Sequence, residues 1–233
     1  MLLNKVAKLV TMLPEKPQLA VSNVIVKTLM KKYANIKVLD AENLEGIQKP
    51  TIFVCNHLSN SDGLVLSRSL KSVDPTFVAG VKLSGNVYTQ IGMNTVKTTS
   101  IVPNSTDSQG IKNIINLVKG GENILIFPEG TRSRTGSMMH AKYGIILIAK
   151  LTGAPIVPLG IYGSEKLLPV NQAGNMGSET FHKADVYIKV GKQFTLPERA
   201  DGQKKKEYEE YATTYLMKKI AELLPEEYRG VYK

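Results

Sequence analysis

The sequence predicts an α/β fold in which a mostly parallel central sheet is flanked by helices. Short apolar runs of strand length recur from Thr51 onward, and helical patterns lie between several of them. Strands that alternate with helices favour a largely parallel sheet, because each helix carries the chain back across the sheet. The 233-residue length suits one large domain or a domain with an appended segment.

Residues 1–34 are predicted to form an N-terminal amphipathic helical segment that precedes the main domain at residues 35–233. The first helix has apolar residues at helical spacing, with lysines on its other side. These apolar residues are Leu2, Leu3, Val6, Leu9, Val10 and Leu13. Pro14 and Pro17 interrupt the pattern, and a second helix is predicted from Leu19 to Tyr33. Basic amphipathic helices bind membrane interfaces, but such helices also cover protein cores. Both interpretations stay open.

The main domain is predicted to contain six strands and three longer helices. The strands are Thr51–Cys55, Thr76–Ala79, Ser100–Val102, Asn123–Phe127, Ala154–Ile161 and Val186–Val190. The helices are Gly110–Lys119, Met138–Leu151 and Gln203–Leu224. A further helix is expected to begin near Asp62.

The composition limits the possible partners and chemistry. A formal net charge of +10 predicts an anionic partner, such as nucleic acid, acidic lipid, a phosphorylated metabolite or an acidic carrier protein. Cys55 is the single cysteine, which excludes an intramolecular disulfide and a cysteine-based zinc site. The sequence shows no apolar run long enough to span a bilayer, so any membrane contact is expected to be peripheral.

The stretch FVCNHLSNSD, residues 53–62, places His57 just beyond a predicted strand and Asp62 five residues later. Ligands in open α/β sheets bind at the carboxyl ends of strands. On one continuous helix these two side chains would point about 140° apart, so the pair requires a loop that leads into a helix. Ser59, Asn60 and Ser61 are suitable caps for that helix. The carboxylate could then hold Nδ1 of the imidazole and leave Nε2 free to accept a proton. A loop histidine beside a capping aspartate has the same spacing.

The stretch ILIFPEGTRS, residues 124–133, forms a second polar turn after an apolar strand. Gly130 allows an unusual backbone conformation, and Arg132 offers a planar set of donors that suits phosphate. Glu129 could accept hydrogen bonds from substrate hydroxyls or hold Arg132 in place. A turn with a surface salt bridge is the alternative. Two such turns at neighbouring strands would lie side by side.

The two stretches together resemble the signatures of the glycerolipid acyltransferases. NHLSNSD is similar to the family's N-H-x-x-x-x-D motif, FPEGTRS resembles its second signature, and IVPLGI resembles its later apolar-proline block. The resemblance extends from about Lys49 to Gly163. It implies a 1-acylglycerol-3-phosphate acyltransferase in phospholipid synthesis, with His57 as general base and Asp62 as its partner. It also implies that Glu129, Gly130, Thr131 and Arg132 bind the glycerol phosphate.

The resemblance also implies the substrates, while the net charge and the lack of a long apolar run indicate the location. The acceptor is expected to be a lysophospholipid, and the acyl donor a thioester of coenzyme A or acyl carrier protein. No metal and no resident cofactor are expected. The protein is expected to lie peripherally on an anionic membrane surface at the cytoplasmic face, without a transmembrane helix.

One departure from the family leaves the acceptor open. Where the family has an acidic residue and an arginine after a strand, this chain has TSIVPNST, with Pro103 and Asn104. Lys82 and Lys97 are candidates to replace that arginine at the acceptor phosphate or donor. Glycerol 3-phosphate, or a lysophospholipid other than lysophosphatidate, is therefore an alternative acceptor.

Two alternative interpretations belong to other classes of mechanism and function. Cys55 could form a nucleophilic pair with His57, but a cysteine that ends an apolar strand is more often a small core residue. A basic nucleic-acid-binding protein has only the net charge in its favour, because the chain has no RNP-like aromatic segment and no zinc spacing. Nucleic acid is therefore not an expected partner.

Overall fold

The computed structural model describes residues 9–80, 87–102, 108–171 and 178–233, and side chains at 87–89 are outside the description. The strands are β1 Ala34–Leu39, β2 Ile52–Cys55, β3 Thr76–Gly80, β4 Thr98–Ile101, β5 Ile124–Ile126, β6 Ile156–Tyr162 and β7 Ala184–Val190. The α-helices are α1 Glu15–Tyr33, α2 Asp62–Ser69, α3 Val87–Met93, α4 Ser108–Lys119, α5 Gly144–Thr152, α6 Ser164–Leu167 and α7 Lys205–Ala221. Short 3₁₀ helices lie at Ala41–Leu44, Glu226–Tyr228 and Gly230–Tyr232.

The strands form one seven-stranded sheet within the described residues, in the order β1-β7-β6-β2-β5-β3-β4. Strands β6, β2, β5, β3 and β4 are mutually parallel. Strand β7 runs antiparallel to β6, and β1 pairs with β7 in parallel. The predicted α/β class with a mostly parallel sheet is therefore confirmed, with the two reversed strands at one edge.

Helices cover both faces of this sheet, since alternate residues of the central strands β2 and β5 enter two separate hydrophobic clusters. In β2, Phe53 and Cys55 pack against α1, α2 and α3, whereas Ile52 and Val54 pack against α4, α5 and α7. This alternation follows from the two-residue side-chain period of a strand. Because both faces are covered, the central strands are apolar throughout, as the four fully buried residues of β2 show.

All six predicted strands are present, with boundaries displaced by up to two residues. Strand β1 has no counterpart among the predicted strands, because its sequence ANIKVL mixes polar and apolar residues and follows a helix directly. The helix predicted from Met138 begins only at Gly144. The preceding residues form a loop because their backbone is bonded elsewhere: the N–H of Met139 donates to Glu129 and that of Lys142 to the Pro128 carbonyl.

The N-terminal helices are described from residue 9 onward, so most of the first predicted helix lies outside the described residues. Helix α1 packs onto the sheet through Val26 and Met30, which are 2% and 4% exposed. Val24 on the same helix is 65% exposed, so α1 covers the core with one face only. Among the residues described, no helix has both the length and the apolar content needed to cross a membrane.

Candidate active site

The two polar turns meet at one edge of the sheet, because β2 and β5 are adjacent parallel strands and both turns follow their carboxyl ends. The backbone N–H of His57 donates to Glu129 Oε1 at 3.0 Å. The N–H of Ser133 donates to the His57 carbonyl at 2.8 Å. These bonds hold the two turns together, as their positions after neighbouring strands predicted.

The His57 imidazole is held by Asp62. Nδ1 lies 2.7 Å from Asp62 Oδ2, and the same oxygen accepts the backbone N–H groups of Leu58 at 2.7 Å and Ser59 at 2.9 Å. A carboxylate oxygen that already receives two N–H donors acts as an acceptor toward the ring, so the hydrogen resides on Nδ1. Nε2 then carries the lone pair and can accept a proton.

The surroundings of the pair are closed on one side and open on the other. The ring of Phe127 stacks on the imidazole with centroids 4.0 Å apart. The Asp62 side chain is fully buried, whereas that of His57 is 19% exposed. Oδ1 of Asp62 has no hydrogen-bond partner among the described residues. The arrangement shields the carboxylate from water and gives solvent or substrate access to the ring.

Local sequence explains how this loop is shaped. Asn56 is buried and acts as an extra strand residue: its side chain donates to the Ile161 carbonyl and accepts the Ile161 N–H, both at 2.8 Å. Helix α2 begins at Asp62 without a side-chain cap at Ser61, so the predicted serine caps are wrong. Ser59 Oγ instead donates to the Leu168 carbonyl and accepts the Ser61 N–H. Asp62 itself receives the N–H groups that bend the loop toward the ring.

Glu129 accepts hydrogen bonds from the protein backbone, whereas the sequence predicted a contact with substrate or with Arg132. Its side chain is almost fully buried, and its second carboxylate oxygen accepts the Met139 N–H at 2.9 Å. The hydrogen bonds of Glu129 within the described residues go to His57 and Met139, and none goes to Arg132. Burial raises the pKa of Glu129 to about 8, against the lowering effect of these two backbone donors. Glu129 therefore ties three loops together beneath the site.

Gly130 and Thr131 form the exposed tip of the second turn. The Gly130 N–H donates to the Phe127 carbonyl, which closes a turn with Pro128 at its second position. Gly130 has φ of +71°, a conformation that favours glycine. A Cβ there would also lie 3.4 Å from the Lys142 side chain. The glycine thus serves the turn itself, in addition to the substrate contact implied by the resemblance.

Arg132 is held by Glu179, a partner that the sequence pattern did not predict. Its Nη1 donates to Glu179 Oε1 at 3.0 Å, and the two side chains are 17% and 2% exposed. No other hydrogen bond of Arg132 is found within the described residues, so most donors of the guanidinium are available for an anion. Arg132 and His57 stand on adjacent turns at the same sheet edge.

The structure does not bring Lys97 to this edge. Lys97 precedes β4, so it lies at the amino ends of the parallel strands, opposite His57. Its ammonium lies 2.6 Å from Glu122 and 3.8 Å from Asp74. The expectation that Lys97 contacts the acceptor phosphate at this site is therefore corrected. Lys82, the second candidate, lies outside the described residues.

Cys55 is a core residue. It is fully buried, and burial raises the pKa of its thiol well above the ordinary value. A neutral thiol without solvent access is a poor nucleophile. The structure therefore favours the core interpretation over a Cys55–His57 nucleophilic pair.

Together, the fold and the site define a three-layer α/β protein with a histidine–aspartate pair and an arginine turn at the carboxyl edge of its sheet. A family model described as Acyltransferase matches residues 35–162, more than half of the chain. The chain therefore belongs to the acyltransferase family.

Similar proteins carry a consistent description. A chloroplastic 1-acyl-sn-glycerol-3-phosphate acyltransferase of Brassica napus is 33% identical over 136 residues, covering 57% of this chain and 39% of that protein. The 1-acyl-sn-glycerol-3-phosphate acyltransferase of Bacillus subtilis is 26% identical over 162 residues, covering 68% and 80%. The chain thus spans about two fifths of the length of the chloroplast relative.

The crystal structure of the 1-acyl-sn-glycerophosphate acyltransferase PlsC from Thermotoga maritima has the same fold. It superposes with a TM-score of 0.63 at 23% sequence identity, covering 90% of this chain and 80% of that chain.

Proposed function

We propose that the protein transfers a fatty acyl group from an acyl thioester to the sn-2 hydroxyl of 1-acylglycerol 3-phosphate, with His57 as general base. The observation that carries the proposal is the tautomer: Asp62 holds Nδ1 of the His57 ring, which leaves the lone pair of Nε2 free to accept a proton. Membership of the acyltransferase family and the printed names of the relatives support the reaction class and acceptor.

The proposed step balances without a covalent enzyme intermediate. Nε2 of His57 removes the proton of the acceptor hydroxyl while its oxygen bonds to the thioester carbonyl carbon. The C–S bond then breaks, and the departing thiolate receives a proton from the imidazolium. Asp62 faces the ring as it becomes positively charged, and general-base assistance of this kind contributes roughly 10²–10⁴ in rate. The donor is a thioester of coenzyme A or acyl carrier protein, and neither step calls for a resident cofactor.

Arg132 is the proposed ligand of the acceptor phosphate. A guanidinium forms paired charge-assisted hydrogen bonds with phosphate. Because its turn adjoins the His57 turn, a bound phosphate places the neighbouring glycerol hydroxyl toward Nε2. Gly130 and Thr131, at the exposed tip of the same turn, line this approach.

Peripheral binding to an anionic membrane surface is proposed for the N-terminal region. Large apolar side chains are exposed there: Leu9 at 64%, Met12 at 81% and Val24 at 65%. Lys27 and Lys31 follow on the exposed face of α1. Apolar side chains that enter the interface, together with lysines near acidic head groups, form the usual basis of such binding.

An acceptor panel tests the proposed reaction. The purified protein is offered lysophosphatidate, glycerol 3-phosphate, a phosphocholine lysolipid and phosphate-free 1-acylglycerol, each with acyl-coenzyme A and with acyl carrier protein. Products are identified by mass spectrometry. Phosphatidate as the main product is expected. A main product from glycerol 3-phosphate or another lysolipid would replace the acceptor, and no transfer to any hydroxyl would refute the proposal.

A further inference from the structure

Glu179 joins the two signature turns of the site. One carboxylate oxygen accepts Arg132 Nη1 at 3.0 Å, and the other accepts the side-chain amide of Asn60 at 2.6 Å. Asn60 lies inside the loop between His57 and Asp62. A single carboxylate therefore connects the arginine that follows β5 with the histidine loop that follows β2.

This carboxylate is a fixed part of the structure. Its side chain is only 2% exposed, and Oε1 also accepts the backbone N–H of Asn171 at 3.2 Å. With three donors around it, the buried charge is compensated, as a buried carboxylate must be. If Arg132 left Glu179, the carboxylate would lose its only cationic partner among the described residues. An incoming phosphate is therefore expected to bind the other donors of the guanidinium.

The His57–Asp62 pair is held by separate contacts. Asp62 receives the Leu58 and Ser59 N–H groups, and the His57 backbone is bonded to Glu129 and Ser133. Loss of Glu179 would therefore leave the base in its orientation. What it would loosen is the position of the Arg132 guanidinium relative to that base.

We propose that Glu179 is a positioning residue, which sets the distance between the phosphate-binding guanidinium of Arg132 and the His57 base by holding Arg132 and Asn60 together. The inference rests on the proposed function, since it assumes a phosphate-bearing acceptor. Without Glu179 the guanidinium would have to be ordered when the phosphate binds, and that cost weakens the binding of the acceptor. The weaker binding should affect the acceptors that Arg132 holds through their phosphate.

Glu179→Gln isolates the charge with little change in volume. The glutamine oxygen can still accept Arg132, and its amide can pair with Asn60 after the Asn60 amide turns over. We expect the apparent KM for lysophosphatidate to rise about tenfold, with kcat at saturating acceptor changed much less, because weaker positioning is a binding loss. The preference for lysophosphatidate over phosphate-free 1-acylglycerol should fall by a similar factor. Glu222→Gln, an exposed carboxylate paired with Lys219, is the matched control.

The experiment measures both acceptors for the wild type, Glu179→Gln, Arg132→Ala and the double variant, with thermal unfolding to verify the fold. If Glu179 acts through Arg132, Glu179→Gln should add little to the KM of Arg132→Ala. Asn60→Ala, which removes the other contact of the carboxylate, is measured in parallel and should shift KM in the same direction.

Each result decides one question. Wild-type protein that ignores phosphate-bearing acceptors refutes the proposed function itself. If the wild type uses lysophosphatidate, an unchanged or lower KM in both Glu179→Gln and Asn60→Ala overturns the positioning role alone. Equal losses with both acceptors, or independent effects of the two substitutions, overturn it as well.

Discussion

Replacing Asp62 by asparagine would remove one charge from the site and keep its hydrogen-bond geometry. Asp62 Oδ2 receives three N–H donors, from the His57 ring and from the backbone of Leu58 and Ser59. An asparagine must place its oxygen at this position, since its NH₂ group would face three donors. The NH₂ group then occupies the place of Oδ1, which has no partner in the described part of the chain. The His57 tautomer is therefore expected to survive.

The remaining effect is electrostatic. When His57 accepts the proton, its ring becomes a cation beside a fully buried carboxylate. Two unit charges about 4 Å apart interact by about 4 kcal/mol at an effective dielectric constant of about 20. Part of that interaction is present in the transition state, so Asp62→Asn should lower kcat by roughly 10²–10³-fold, at about 1.4 kcal/mol for each factor of ten.

The assay follows thiol release from acyl-coenzyme A at saturating lysophosphatidate, alongside thermal unfolding. Asp201→Asn, the same change at an exposed turn, is the control. Asp62→Asn should unfold near the wild-type temperature and retain its KM. A kcat within threefold of the wild type would show that the carboxylate does not stabilise the imidazolium, and that the proposed base is wrong.

Three further predictions concern substrate, pH and membrane. Arg132→Ala should raise the apparent KM for lysophosphatidate about 10–100-fold, as expected when a charge-assisted contact worth about 1.5–3 kcal/mol is lost; an equal effect on phosphate-free 1-acylglycerol would remove the phosphate role. The raised pKa of Glu129, about 8 against 4.5, means that the folded protein holds a proton that the unfolded chain releases. The free energy of unfolding should therefore fall by up to about 1.4 kcal/mol per pH unit between about pH 4.5 and 8, and this slope should be absent in Glu129→Gln when denaturant curves are compared. The double variant Lys27→Ala, Lys31→Ala should bind anionic vesicles with about 30-fold lower affinity, as measured by co-sedimentation, because each lysine contributes about 1 kcal/mol. The same double change at Lys205 and Lys206, on the α7 side of the sheet, should have little effect, and equal losses would count against an oriented contact.

Much of the site was predictable because its signals are local. The five-residue spacing of His57 and Asp62 required a loop-to-helix junction, and the observed 2.7 Å contact has that form. The meeting of the two turns followed from their positions after neighbouring strands. The order along the chain also predicts the edge at which Lys97 lies: this lysine precedes its strand, so it belongs to the edge opposite His57.

Other features depend on contacts that no local pattern records. Glu179 is 47 residues from Arg132 and 119 from Asn60, in a segment without helical or strand periodicity. The burial of Glu129 depends on a loop whose apolar spacing imitates a helix. In both cases the tertiary fold decides the partner of a carboxylate, and the sequence shows only that a carboxylate is present.

His57 should deprotonate the hydroxyl of a phosphate-bearing acceptor. The most direct measurement compares phosphatidate formation by the wild type and His57→Ala, using isotope-labelled acyl-coenzyme A, lysophosphatidate and mass spectrometry under single-turnover conditions. We expect labelled phosphatidate from the wild type and a rate lower by at least about 10²-fold from a folded His57→Ala variant. Comparable rates from the two proteins would contradict it.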